Sequence, residues 1–442
     1  MKLKLLSSAI LLAMLSGCGN SSKVEEITPT EQVEQGSGEG SGEGSGSDHD
    51  HEIEYPLGRL AVSFADESDV SVYDLTDNEL LETVTLTNPV SALYASPEGR
   101  YVVAIQRDHN HVEFIDGGIF LEAHDDHFHL EQEDVQAVSF ELTETKPTHY
   151  VPGGEHALVF FDGDKESQAD ASFALISDEG ITDAKIDAHH EFNTYMHGTG
   201  EIRGEYVIST LRDAEAEGSL PDQIALFELH DDHFHQEQEF EHKCPGLHGS
   251  VQTEEFVAFG CTDGIVAIEE ESEVFTSKHI AYPDGFPEGV RIGKFIGHPE
   301  SHTVIGLSRV GPYSVNLETG EIKAFEWQPE GVESYLAYAG NAKTGNALVL
   351  DDQGYLNILH GEHDWENEAR IQVLEEIEEG ATAKIIANMA HHIVYVAYGE
   401  HLYAVDTEEK TSTEIQHFDK PIANLTWVGA FEAEEHDHEH DH

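Results

Sequence analysis

The chain has 442 residues, with 22 Lys and Arg against 88 Asp and Glu and a formal net charge of −66. Charge of that sign and size excludes nucleic acid as a partner and excludes attachment to anionic lipid by charge, leaving a cation or a basic protein surface. A saline habitat would also favour surface acid, but salinity does not account for 30 His.

The first 18 residues set an expected compartment. Lys2 and Lys4 precede an apolar stretch, 5–15, that is too short to persist as a membrane span. Leu15-Ser16-Gly17-Cys18 resembles the bacterial lipoprotein box, which implies that Cys18 becomes a lipid-anchored first residue. Gly19 is not the Asp linked to inner-membrane retention, so the resemblance favours the outer membrane, facing the periplasm. Residues 19–54 then read as a tether, rich in Gly, Ser and Glu over 36–47 and ending in Asp48-His49-Asp50-His51. Such a composition buries too little apolar surface to fold, and a coil of roughly 30 residues spans about 30 Å.

From 55 to 430 the pattern is all-β: short runs rich in Val, Ile, Phe and Tyr, separated by Gly, Asp, Asn and Pro. One strand type recurs at 60–64, 101–105, 157–161, 206–210, 256–260, 303–307, 346–350 and 393–397, with starts 41 to 56 residues apart. That spacing is the length of a four-stranded propeller blade and predicts an eight-bladed β-propeller, or seven blades if one irregular repeat is counted twice. A second run precedes seven of these strands, at 92–96, 148–152, 194–198, 246–250, 294–298, 335–339 and 385–389. The first copy lacks that partner and 423–429 is left over, so the C-terminal strand is expected to complete the N-terminal blade and close the ring.

The hexapeptide His-Asp-Asp-His-Phe-His occurs at 124–129 and again at 230–235, with similar flanks. Imidazole and carboxylate in this density suit a borderline divalent ion, above all zinc. His124, His127 and His129, and likewise His230, His233 and His235, have the spacing to wrap one ion, with Asp125 or Asp126 and Asp231 or Asp232 as carboxylate ligands or imidazole acceptors. Both copies are expected at turns between the third and fourth strands of blades two and four, and His360-Gly361-Glu362-His363-Asp364-Trp365 is a degraded third copy at the corresponding turn of a later blade. Strand alternation puts these turns and both chain ends on one face.

A separate set comes from counting back from the recurring strand. His149, His197 and His248 fall at nearly equivalent places on three consecutive blades, where the first strand lines the channel, and three converging imidazoles make a zinc site with an open fourth position. Isolated channel histidines bonded to backbone are the alternative, and His298 on the next blade is a candidate fourth member in doubtful register. The tail 431–442 carries His436, His438, His440 and His442, which with His49 and His51 would form metal-capturing arms. Cys244 and Cys261 read as a disulfide: in an oxidising compartment a lone pair is most simply bonded, and a hairpin pairing 244–250 with 255–261 would set them opposite each other.

The signal sequence, the Asp/His tract, the propeller body and the repeated hexapeptides together resemble the AztD family of periplasmic zinc metallochaperones. The resemblance implies a β-propeller that carries Zn²⁺ to the substrate-binding protein of a zinc ABC importer; the chain itself is read as a monomer without catalytic turnover. A lipid anchor and a C-terminal His tract depart from that pattern, and both work against free shuttling. A metal-dependent propeller hydrolase or lactonase and a periplasmic zinc buffer remain the alternatives; no Gly-x-Ser-x-Gly elbow supports the enzyme.

Overall fold

The structure is a computed structural model that describes residues 53–124, 127–378 and 380–432. Cys18, His49, His51, Asp126, His436, His438, His440 and His442 lie outside the described residues. The chain divides into Met1–Glu52 and Ile53–His442, and every described residue belongs to the second unit.

That unit is a β-propeller of antiparallel, up-and-down four-stranded blades; among the described residues they form six four-stranded sheets and one eight-stranded sheet, in which Ala188–Glu191 joins two blades by pairing parallel with His233–Glu239. The recurring run of the sequence is the second strand of each blade, as in His156–Phe161 and Phe256–Gly260. These strands are buried on both faces, so they read as continuous apolar runs. Successive side chains point opposite ways, and the core therefore forms between blades. Ala157, Val159 and Phe161 pack with Tyr101, Val103 and Ile105 of the blade before. Leu158 and Phe160 pack with Val207, Ala225 and Phe227 of the blade after.

First strands of neighbouring blades lie against one another, Pro147–Gly153 against Gly200–Arg203 and Gly200–Arg203 against Ser250–Gln252, which puts them at the ring's centre. The ring closes as expected: Ile422–Val428 pairs antiparallel with Arg59–Phe64 and serves as first strand of the N-terminal blade. Trp427 seals the closure, donating from Nε1 to the Leu57 carbonyl at 2.9 Å.

Two inner strands start later than the sequence suggests. Gly200–Arg203 and Ser250–Gln252 replace the predicted runs at 194–198 and 246–250. For the second of these, backbone chemistry is the reason: Gly246 and Gly249 both have positive φ, at 59° and 76°, which a strand does not accept. The segments carrying His197 and His248 are thus loops entering the strands.

The same shift corrects the cysteine register. Ser250 pairs with Phe259 and Gln252 with Val257, so Cys244 is not on the hairpin at all. The disulfide nevertheless forms, with Cα atoms 4.9 Å apart, because the loop returns Cys244 to the end of Phe256–Gly260 within a shared apolar cluster.

Candidate metal centre

Strand alternation gives the ring two rims. Starts of first strands, starts of third strands and ends of fourth strands share one; turns joining third to fourth strands occupy the other. The two histidine sets fall on opposite rims.

On the first rim His149, His197 and His248 converge. Their ring centroids lie 5.1 Å (His149 to His197), 5.2 Å (His197 to His248) and 6.1 Å (His149 to His248) apart. Two rings are oriented from behind. His197 Nδ1 is 3.0 Å from Asp162 Oδ2, and His248 Nδ1 is 3.1 Å from the Gly293 carbonyl. A ring that donates from Nδ1 to an oxygen keeps the lone pair of Nε2, the arrangement that metal-ligating histidines use. Asp162 is itself buried and held by Arg107 Nη2 at 2.8 Å.

Burial holds His149 well below the ordinary imidazole range, to about 4; His197, His248 and Arg107 push the same way and Asp162 opposes them. Burial also lowers His248, with Arg291, His197 and Lys294 adding to it and the Gly293 bond resisting. Both rings are therefore neutral at pH 7, the form a metal requires. Beside His248 opens a cleft of about 490 Å³ carrying Arg291, Lys294 and Arg309. None of these three cations is in an ion pair among the described residues, in a chain of net charge −66. Any metal ion on the triad would therefore favour an anion in its open position. Glu201, four residues beyond His197, was not singled out from sequence; burial pushes its carboxyl up to about 7.

His298 does not join this group. It follows the end of its first strand, Ile292–Ile296, instead of preceding the start, and so lies on the other rim, with Nε2 3.9 Å from Glu362 Oε1.

The hexapeptides explain themselves as hairpin turns. His230 pairs with His233 across a two-residue turn, Asp231-Asp232, in which Asp231 takes a φ of 55° that Asp tolerates. The turn thus places His230, His233 and, two residues on, His235 on one face of the hairpin, with Glu228 opposite His235. His230 to His235 and His233 to His235 ring distances are 4.7 and 5.0 Å, and His233 Nε2 to His235 Nε2 is 3.1 Å. The first copy repeats this geometry: His124 pairs with His127, Glu122 with His129, ring distances from His129 are both 4.7 Å, and His127 Nε2 to His129 Nε2 is 2.8 Å.

The copies differ in their mounting. The second is the tip of the third and fourth strands of blade four, as expected, with Phe234 facing inward onto Phe173 at 5.0 Å. Its turn is tied to blade three, where His189 N–H donates to the Asp232 carbonyl at 3.1 Å. The first copy instead crowns an extra hairpin, Ile119–His124 and His127–Gln132, inserted between the third and fourth strands of blade two, and its Phe128 is 57% exposed.

Asp232 sits at the turn with Oδ1 3.2 Å from His233 Nδ1, while the carboxylate gathered with His230 and His235 is that of Glu237. Glu228 and Glu237 were missed as candidates although both flanks repeat in sequence; a two-residue turn in the middle of the motif was the signal. The degraded copy also sits at a third-to-fourth turn, where His360, Glu362 and His363 bring ligand atoms within 4.8 Å.

No family model matches the chain. The zinc chaperone AztD of Citrobacter koseri is 26% identical over 232 residues, which is 52% of this chain and 52% of that one, so the match spans about half the length of the relative. The structure of apo AztD from the same organism superposes with a TM-score of 0.66 at 21% identity, over 85% of this chain and 99% of that one. Dihydro-heme d1 dehydrogenase NirN shares the fold more loosely, with a TM-score of 0.51 at 13% identity over 86% of this chain and 77% of its own. In sequence over half its length and in fold over most of it, the chain is similar to the zinc chaperone AztD.

Proposed function

We propose that this protein is a zinc carrier of the periplasm, tethered through Cys18, that captures Zn²⁺ and passes it to the substrate-binding protein of a zinc ABC importer. The observation that carries the reading is the approach of the His149, His197 and His248 rings to within 5.1–6.1 Å of one another, with Asp162 and the Gly293 carbonyl engaging Nδ1 of two of them. Similarity to a protein named a zinc chaperone supports zinc as the cargo.

In this reading the triad holds the ion and the two hexapeptide hairpins, together with the His/Asp tails, capture it. The described chain ends, Ile53 and Glu432, leave from the hexapeptide rim. Exposed imidazoles suit capture because an incoming ligand can attack before the old ones leave. The Arg291 and Lys294 side chains next to His248 suit release, since a carboxylate of the recipient would be drawn there and could enter the open fourth position.

Zinc stoichiometry of protein lacking residues 19–54 and 433–442 tests the reading. At least one tight zinc should remain, and replacing His149, His197 and His248 in that background should abolish it. Replacing His124, His127 and His129, or His230, His233 and His235, should slow capture or transfer and leave the tight zinc in place. A folded, truncated protein that binds no zinc would eliminate the triad as the holding site.

A further inference from the structure

We propose a further zinc site on the last blade, formed by His401, Glu414 and His417, which the spacing of the sequence does not reveal. It deepens the zinc-carrier reading and rests on it. His401 opens the third strand of that blade, His401–Asp406, and His417 closes the fourth, Thr411–His417. The two residues are direct cross-strand partners, 16 positions apart in the chain. A bulge between Leu402 and Tyr403 lets Glu414, three residues before His417, swing onto the same face.

Geometry distinguishes this trio from an ordinary surface cluster. Glu414 Oε1 lies 2.8 Å from His401 Nδ1 and 4.0 Å from His417 Nδ1, and the two Nδ1 atoms are 3.2 Å apart. Ligand atoms on a tetrahedral zinc, bonded at about 2.0–2.1 Å, stand about 3.3 Å from one another. The three separations bracket that value. Two imidazole nitrogens facing each other at 3.2 Å must share a proton or a cation between them, and the same signature occurs at 2.8 and 3.1 Å in the two hexapeptides.

Two neutral imidazoles and one carboxylate are a zinc donor set, with the fourth position open. His401 and Glu414 line a cleft of about 570 Å³ that also presents Glu375, Glu376 and Glu378. With Glu414, four carboxylates face this one cleft, so added positive charge is favourable there. The ligand side chains are 36, 43 and 56% exposed, which permits fast exchange.

Position gives the site a role. The start of a third strand and the end of a fourth lie on the rim that carries the His149 triad, whereas the hexapeptides and His360 lie on the other. The His401 site is then a zinc-accepting site on the triad's own rim.

The test uses the full chain and zinc alone. In equilibrium dialysis against chelator-buffered Zn²⁺, the double variant His401→Gln with His417→Gln should bind one equivalent fewer than the unaltered protein; equal stoichiometry in a folded variant overturns the proposal. A measurement on the unaltered protein covers the case of a variant that fails to fold. Acylation of histidines by diethyl pyrocarbonate, located by peptide mass, should be suppressed by zinc at both His401 and His417. Labelling of these two that is indifferent to zinc, while His149 or the hexapeptide histidines become protected, would reject this site and leave the carrier reading standing. Absence of protection at every histidine would reject both.

Discussion

Replacing Asp162 by Asn isolates what the carboxylate behind His197 contributes to zinc binding. The amide oxygen of Asn can still accept from His197 Nδ1, now 3.0 Å from Asp162 Oδ2, so the ring keeps its tautomer and loses only the charge behind it. A zinc ion on His197 Nε2 would lie about 6–7 Å from that carboxylate, where the attraction is about 1 kcal/mol at the dielectric of water and about 5 kcal/mol at an effective value of 20. Arg107 Nη2, 2.8 Å from the same oxygen, cancels part of it. The expected loss is therefore about 10- to 100-fold in affinity, or about 1.4–2.7 kcal/mol, in the range found when partners behind metal-bound histidines are removed. Competition with a chromophoric chelator at pH 7, on protein without the tails, reads it directly. Asp108→Asn makes the same charge change at a side chain that is 89% exposed and 3.7 Å from Arg107 Nη1, and should leave affinity within about twofold. Equal affinity in Asp162→Asn and the unaltered protein, or an equal loss in Asp108→Asn, would refute the argument that this carboxylate tunes the triad.

Three further outcomes follow from particular residues. His149 has a folded pKa of about 4 against 6.5 unfolded, so the unfolded chain binds the extra proton first and stability from this group is lost as pH falls from about 6.5 to 4; urea midpoints of the metal-free protein should drop less steeply over that window in His149→Gln, and identical slopes would contradict the burial argument. Removing the Cys244–Cys261 bridge with a double Ser substitution should cost about 3 kcal/mol, given a separation of 17 residues, and leave zinc content unchanged; loss of one zinc from the folded variant would make these cysteines ligands. Phe234→Ala should cost about 3–5 kcal/mol in denaturant melts and Phe128→Ala less than about 0.5 kcal/mol, because the first is 6% exposed and the second 57%; similar costs would mean that the two hairpins are mounted alike.

The blade repeat was legible in the sequence because second strands are buried on both faces and read as apolar runs wherever they occur. Ring closure by the C-terminal strand, expected at 423–429 and found at Ile422–Val428, followed from counting which copy lacked a partner. The hexapeptides were legible because a hairpin turn is local: two residues of turn and period-two alternation carry His230, His233 and His235 to one face without help from the rest of the fold. Sequence could also align His149, His197 and His248 as equivalent positions in three blades, since repeats share a count. It could not decide that their rings come within 5.1–6.1 Å, which depends on the loops that enter two of the inner strands, one of them carrying the positive-φ Gly246 and Gly249, and on the closure of the ring. The disulfide was anticipated from a lone cysteine pair and from a hairpin register; the bond forms, but that register does not exist and a return of the loop brings the cysteines together instead. Only tertiary structure separated the two histidine sets onto opposite rims, set the inserted hairpin apart from its twin, and assembled His401, Glu414 and His417. Contacts of that kind join residues through hairpin register, bulges and neighbouring blades, and a linear pattern carries no record of which way each strand faces until the whole ring is closed.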